Sequence, residues 1–135
     1  MSLKIIKKLL SAVLLTAIST SVLAEWTFVV NSSDHTVKVY IEKSSIRKNQ
    51  AKVKMWHLLD LTSSLSNENG TKFLSAKELI EYDCKNEQAR QLAFAQYSSN
   101  MGGGDVVITD ATPQDWSPVF PDSITQSLMQ KACKN

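Results

Sequence analysis

The stretch EYDC at residues 81–84 contains Cys84, one of only two cysteines in the 135-residue chain. The other, Cys133, lies two residues from the C-terminus in the stretch KACKN. Such a cysteine can be a reactive thiol, a metal ligand, a small buried residue or half of a disulfide bond. Disulfides persist mainly in oxidising compartments, so the choice depends on where the protein folds.

The first 24 residues have the features of a secretory signal peptide. Three lysines and no acid precede the apolar run LLSAVLLTAI at residues 9–18. A membrane span needs about twenty apolar residues, so this run is too short to be one. The small residues Val22 and Ala24 then have the spacing that signal peptidases read. We therefore predict a signal peptide at residues 1–24 and a mature domain at residues 25–135. A membrane anchor is the alternative; a lipoprotein is not predicted, because no cysteine follows the apolar run.

Export changes how the composition of the chain is interpreted. The full chain has 15 basic and 13 acidic residues, and three of the lysines belong to the predicted signal peptide. The mature chain therefore has 12 basic and 13 acidic residues, a net charge of −1. Its 111 residues suffice for a single core. We predict no nucleic-acid partner and no membrane span in the mature chain.

Two cysteines in an exported domain of this size are most simply explained by a disulfide bond. A zinc site would need four ligands, and the two histidines, His35 and His57, are not spaced with a cysteine in the usual pairs. A reactive thiol and two free buried cysteines are the alternatives. A bond between Cys84 and Cys133 would close a loop of about 50 residues and contribute about 4 kcal/mol in the chain-entropy account. We predict this disulfide, no metal site and no cofactor.

The periodicity of the first half of the mature chain predicts strands. EWTFVV at 25–30 and TVKVYIE at 36–42 are rich in β-branched and aromatic residues, and the polar turn between them is typical of a hairpin. AKVKMWHLL at 51–59 alternates, and its far end is apolar enough to be covered on both faces. TSSLSNENGTKF at 62–73 is a loop by composition, and SAKELIEYDC at 75–84 is predicted as a strand.

The second half of the chain gives a less uniform signal. NEQARQLAFAQYSS at 86–99 has a composition that modestly favours a helix, although its alternation permits a strand. The three glycines within residues 100–110 predict a hairpin loop that needs positive φ angles. A phosphate-binding loop would need a following Lys and Ser or Thr. SITQSLMQKAC starts with Ser123 and has Gln126 three residues later, the capping-box pattern. This segment predicts an amphipathic helix whose Cys133 could hold it against the sheet.

Six short stretches occur in order over almost the whole mature chain: YIEKSSIR from Tyr40, VKMWHLLD from Val53, EYDC ending at Cys84, YSSNMGGG from Tyr97, WSPVFPDS from Trp116 and the final AC at Cys133. Together they resemble the surface-adhesin protein E family of small exported bacterial proteins. The resemblance implies an α+β fold, a single antiparallel β-sheet of about six strands with a C-terminal helix packed on it and tied by a disulfide. It also implies that residues 86–99 form a strand, and on this point we follow the resemblance against propensity.

The resemblance also bears on function. The founding adhesin of the family is a surface lipoprotein that binds extracellular-matrix and plasma proteins of a host. This chain lacks the cysteine that would carry the lipid. The sequence contains no G-x-S-x-G turn and no His-x-x-x-His pair, so no pattern indicates a catalytic site. We interpret His57 as a packed strand residue, and Trp26, Trp56 and Trp116 as core residues rather than an aromatic ligand site.

Residues 43–54 carry five of the twelve positive charges of the mature chain and no acid: Lys43, Arg47, Lys48, Lys52 and Lys54. If Lys52 and Lys54 project from one face of their strand, beside the loop that carries Arg47 and Lys48, they form a small positive patch for a polyanion or an acidic protein surface. The alternative is a solvated hairpin rim that protects a sheet edge from aggregation.

The sequence as a whole therefore predicts a non-enzymatic exported binding protein resembling an adhesin for host extracellular-matrix or plasma proteins. It would be periplasmic, secreted or bound at the cell surface. The alternative is a periplasmic structural or accessory envelope domain without a host ligand.

Overall fold

The computed structural model describes residues 24–134, so the predicted signal peptide, apart from Ala24, lies outside the described residues. Within this range the backbone forms eight strands and one α-helix. They are β1 (Thr27–Asn31), β2 (Val37–Ile41), β3 (Arg47–Asn49), β4 (Lys52–Ser66), β5 (Lys72–Asp83), β6 (Gln88–Tyr97), β7 (Val106–Asp110), β8 (Ser117–Pro118) and α1 (Ile124–Cys133).

The strands join into a single antiparallel sheet in the order β1-β2-β4-β5-β6-β7, with β3 added beside β4 and β8 beside β6. The predicted α+β class, with about six main strands and a C-terminal helix, is confirmed. β3 and β8 have three and two residues, which is why the sequence pattern did not predict them as separate strands.

The segment at 86–99 is a strand, as the family resemblance implied, and its helix-favouring composition was misleading. β6 pairs with β5 along nearly its whole length, and its other edge pairs with β7 at Phe94–Tyr97 and with β8 at Gln88 and Ala89. Interstrand hydrogen bonds on both sides outweigh a helix preference that amounts to only a few tenths of a kcal/mol per residue.

The loop predicted at 62–73 is much shorter than its composition suggested. β4 continues to Ser66 and β5 begins at Lys72, with Leu65 opposite Phe73. Asn67 organises the turn between them, because its side-chain oxygen accepts hydrogen bonds from the backbone N–H groups of Asn69 and Thr71 at 3.0 Å each. The polar residues at the end of β4 therefore belong to the strand, and the predicted loop is correct only for residues 67–71.

Helix α1 packs on one face of the sheet. The hydroxyl of Ser123 accepts a hydrogen bond from the N–H of Gln126 at 3.1 Å, the cap that the sequence predicted. The helix buries Leu128, Met129 and Ala132 against strand residues that include Val53, Met55 and Tyr82.

The predicted disulfide joins Cys84 at the end of β5 to Cys133 in the last turn of α1, with the two Cα atoms 5.9 Å apart. It fixes the C-terminal end of the helix to the sheet.

The opposite face of the sheet is covered by the glycine-rich loop between β6 and β7. This loop has the positive backbone φ angles that the sequence predicted, at Met101, Gly102 and Gly104. The backbone N–H of Gly102 donates to the Ser75 hydroxyl at 2.9 Å, and that hydroxyl donates to the carbonyl oxygen of Ser99 at 2.6 Å. Leu58 is fully buried on this side, so the apolar end of β4 is covered on both faces as predicted.

Candidate binding surfaces

The five cations predicted as a binding patch lie along one hairpin, residues 43–54, which we call the basic hairpin. Lys43 begins a 3₁₀ turn, and Lys52 and Lys54 are on β4. Arg47 and Lys48 were predicted in a loop but lie on β3, because this short segment pairs with β4. All five residues are exposed. The hairpin stands at the end of the sheet where β4 begins.

Strand pairing divides the cations between the two faces of the hairpin. Arg47 lies directly opposite Lys54, and Lys52 is two residues from Lys54, so these three side chains share one face. Lys48 lies opposite the buried Val53 and belongs to the other face. The basic hairpin is therefore a charged edge with cations on both sides and not a flat patch.

Acids on β5 partly balance the face of Lys52 and Lys54. Lys52 pairs in register with Asp83, and Lys54 with Glu81. The pKa of Asp83 is lowered, mainly by hydrogen bonds from Asn86, with a smaller contribution from the charge of Lys52. Glu81 is already engaged by Arg90, whose Nη2 lies 2.8 Å from the Glu81 carboxylate. The carboxylate opposite Lys54 is therefore already paired with another cation.

Trp116 lies beside the same face and contacts two cations. The Nζ of Lys52 is 5.3 Å from the ring centre, and the guanidinium carbon of Arg90 is 4.6 Å from it. Trp26 similarly contacts Lys77, with Nζ 5.8 Å from its ring centre. All three tryptophans are half-buried, so the interpretation of them as core residues was wrong.

Lys85 is a further cation beside the basic hairpin, and the sequence analysis did not include it in the patch. It lines a polar hollow of about 390 Å³ with Asn49 and Lys52. A hydrogen bond of 2.9 Å from the N–H of Cys84 to the carbonyl oxygen of Ala51 joins the β5–β6 turn to the β3–β4 turn. This proximity results from the pairing of β4 with β5, and no local pattern could have indicated it.

His57 is placed as a core residue rather than as a metal ligand. His57 is 2% exposed and its Nε2 lies 3.0 Å from the Tyr82 hydroxyl. Burial lowers the pKa of His57 to about 4 and, together with the charge of Glu78, raises the pKa of Tyr82. Within residues 24–134 no group of three His, Cys, Asp or Glu side chains is placed to hold a metal ion. The interpretation of His57 as a packed strand residue is confirmed.

The family model described as surface-adhesin protein E matches residues 26–134. The chain belongs to the surface-adhesin protein E family. Membership implies an exported, non-enzymatic protein. None of the helices in residues 24–134 has the length and hydrophobicity needed to cross a bilayer.

Solved structures with the same fold come from Haemophilus influenzae. A structure of its protein E is 19% identical, with a TM-score of 0.59, and the match covers 85% of this chain and 88% of that one. A structure of protein E from non-typeable H. influenzae is 18% identical, with a TM-score of 0.59, and the match covers 86% and 80%. No curated protein matches the chain significantly. At this identity the structural likeness shows the fold alone.

Proposed function

We propose that this chain is an exported binding protein of the adhesin type that contacts acidic host matrix or plasma proteins, or polyanions, through its basic hairpin. The observation that carries the proposal is the exposure of all five cations of the hairpin on a domain whose predicted mature charge is −1. Family membership supports the adhesin role.

Three lysines of the basic hairpin form no ion pair within the described part of the chain. Within residues 24–134, no carboxylate lies within salt-bridge distance of Lys43, Lys48 or Lys54. By contrast, the Arg47 guanidinium donates to the carbonyl oxygens of Ser44 and Ile46 at 2.7 and 2.9 Å. Lysines without a partner can pair with a ligand at little cost in internal contacts, because no existing ion pair has to be broken.

A charge-matched pair of variants tests the proposal. The first replaces Lys43, Lys48 and Lys54 by Gln; the control replaces Lys38, Lys72 and Lys134, which are also exposed. With about 0.5 kcal/mol per exposed ion pair, the first variant should bind immobilised heparin about tenfold more weakly than wild type. The control should bind like wild type. Equal binding by both variants would place the ligand surface elsewhere.

Salt and cell location supply the remaining tests. Binding through exposed charges should weaken as salt rises, since the Debye length falls from about 10 Å at 0.1 M to about 3 Å at 1 M. An adhesin should also be reached by surface labelling of whole cells. Release only by osmotic shock would instead support a periplasmic structural or accessory role without a host ligand.

A further inference from the structure

Helix α1 leaves part of its face of the sheet uncovered, and an apolar groove lies there. Beyond the N-terminal end of the helix the groove has a volume of about 370 Å³ and crosses β2, β4, β5 and β6. Its apolar walls are formed by Val37, Leu59, Leu61, Leu65, Phe73 and Phe94. It lies at the other end of β4 from the basic hairpin, so it is separate from the surface proposed above.

A single carboxylate projects into this apolar groove. Glu78 lies opposite His57 on β4 and Phe94 on β6, and it lines both the groove and a smaller hollow of about 230 Å³ next to the start of α1. Burial raises the pKa of Glu78. Glu78 is half-buried, and the polar neighbours that line the groove with it are the uncharged Gln91 and Gln96.

No positive charge of the described chain compensates Glu78. In residues 24–134 no cation lies within salt-bridge distance of it, and its side chain makes no hydrogen bond. Arg90 also lines the smaller hollow, but its guanidinium is bound to Glu81. The other titratable groups facing this region are His57, which is neutral at pH 7, and Tyr82; the nearby α1 residues Ile124, Thr125 and Leu128 are uncharged.

We propose that the groove binds a small amphiphilic cation, a molecule with an apolar body and an ammonium or amidinium group that pairs with Glu78. Apolar walls favour an apolar body by about 25 cal/mol for each Å² removed from water. A carboxylate in such surroundings is costly unless a cation meets it, and the ligand supplies that cation. The volume is within the range of small-molecule sites, which begins at about 300 Å³.

Three ligands with the same chain separate charge from hydrophobicity. Decylammonium, decanol and decanoate are titrated calorimetrically, at monomeric concentrations, into the purified disulfide-bonded protein. Wild type should bind decylammonium most tightly and decanoate least. Glu78→Gln should weaken decylammonium binding at least about thirtyfold, as expected when one partner of a buried charge pair is removed. Asp115→Asn, at an exposed acid outside the groove, should leave the order and the affinities unchanged.

A second variant makes the result independent of any effect of Glu78→Gln on folding. Leu65 is 53% exposed at the rim of the groove, so Leu65→Lys adds a cation without opening the core. It should weaken decylammonium binding and strengthen decanoate binding. Glu78→Gln itself removes an uncompensated carboxylate and should raise Tm at pH 7.

Several results would overturn the proposal. They are the absence of decylammonium binding, equal binding of cation and anion, and a cation preference that survives in Glu78→Gln. Concentration-dependent dimerisation through the groove, lost in Phe94→Ala, would also overturn it, because the occupant would then be a second copy of the chain.

Discussion

At the residue scale, His57 and Glu78 occupy paired positions on β4 and β5. Burial lowers the pKa of His57 and raises the pKa of Glu78, so it favours the neutral form of both side chains. The two groups nevertheless affect stability differently as pH changes. A buried histidine resists gaining a proton, whereas a buried carboxyl resists losing one. His57 also contacts the buried Tyr82 hydroxyl and therefore lies in the core itself.

Acidification should destabilise the protein through His57. Its pKa is 6.5 when unperturbed and about 4 in the fold, so the unfolded state takes up the proton first as pH falls. Stability is therefore lost between about pH 6.5 and 4, and the difference corresponds to roughly 3 kcal/mol. Urea unfolding at a series of pH values should show a shallower decline for His57→Gln than for wild type.

His35 provides the control for that measurement. It is exposed in the β1–β2 turn with a φ of 59°, and Asn tolerates this conformation, so His35→Asn should keep the wild-type slope. An identical slope in His57→Gln would mean that other groups cause the loss of stability in acid.

At the element scale, local sequence patterns correctly predicted the β1–β2 hairpin and helix α1. The β1–β2 hairpin follows from two strand-like runs around a polar turn, where Asp34 accepts hydrogen bonds from the side chains of Ser32 and Thr36. Helix α1 follows from its cap and its apolar stripe. Strand β6 depends on neighbours on both sides, so only the resemblance to a family predicted it correctly.

The candidate sites were less predictable than the elements for the same reason. The cluster of cations in the basic hairpin is visible in the sequence, but its division between two faces depends on the register of β3 with β4. The apolar groove combines residues from four strands, and the pairing of β5 with β6 shifts between Leu79 and Ile80. No local pattern contains that information.

The attachment of α1 to the sheet should depend strongly on the disulfide. The helix has ten residues and buries three of them, so its packing area is small. Cys84 and Cys133 are 49 positions apart, and replacing both by Ser should cost about 4 kcal/mol of stability. Urea unfolding of the variant measures the loss. Ser127→Ala, at an exposed helix position, should change stability by no more than about 0.5 kcal/mol. A variant without both cysteines that is as stable as wild type would show that packing alone holds the helix.

At the scale of the whole molecule, the sheet separates three surfaces. Helix α1 and the apolar groove share one face, the glycine-rich loop and tryptophan contacts cover much of the other, and the basic hairpin extends from one end. The groove and the hairpin use no common residue, so losing one binding activity should not remove the other. The two proposed binding surfaces can therefore be tested separately by substitution.

Processing of the N-terminus is the last prediction, and it concerns the whole exported molecule. Cleavage between Ala24 and Glu25 would leave Trp26 as the second residue, where its ring contacts Lys77 on β5. Intact-mass analysis of the exported protein should therefore give a chain that starts at Glu25. Ala24→Leu should block cleavage, because the position needs a small side chain, whereas Glu25→Gln should be processed normally. A full-length or lipid-modified wild-type chain would contradict the prediction. A start beyond Trp26 would also contradict it, since the contact with Lys77 would then be lost from the mature fold.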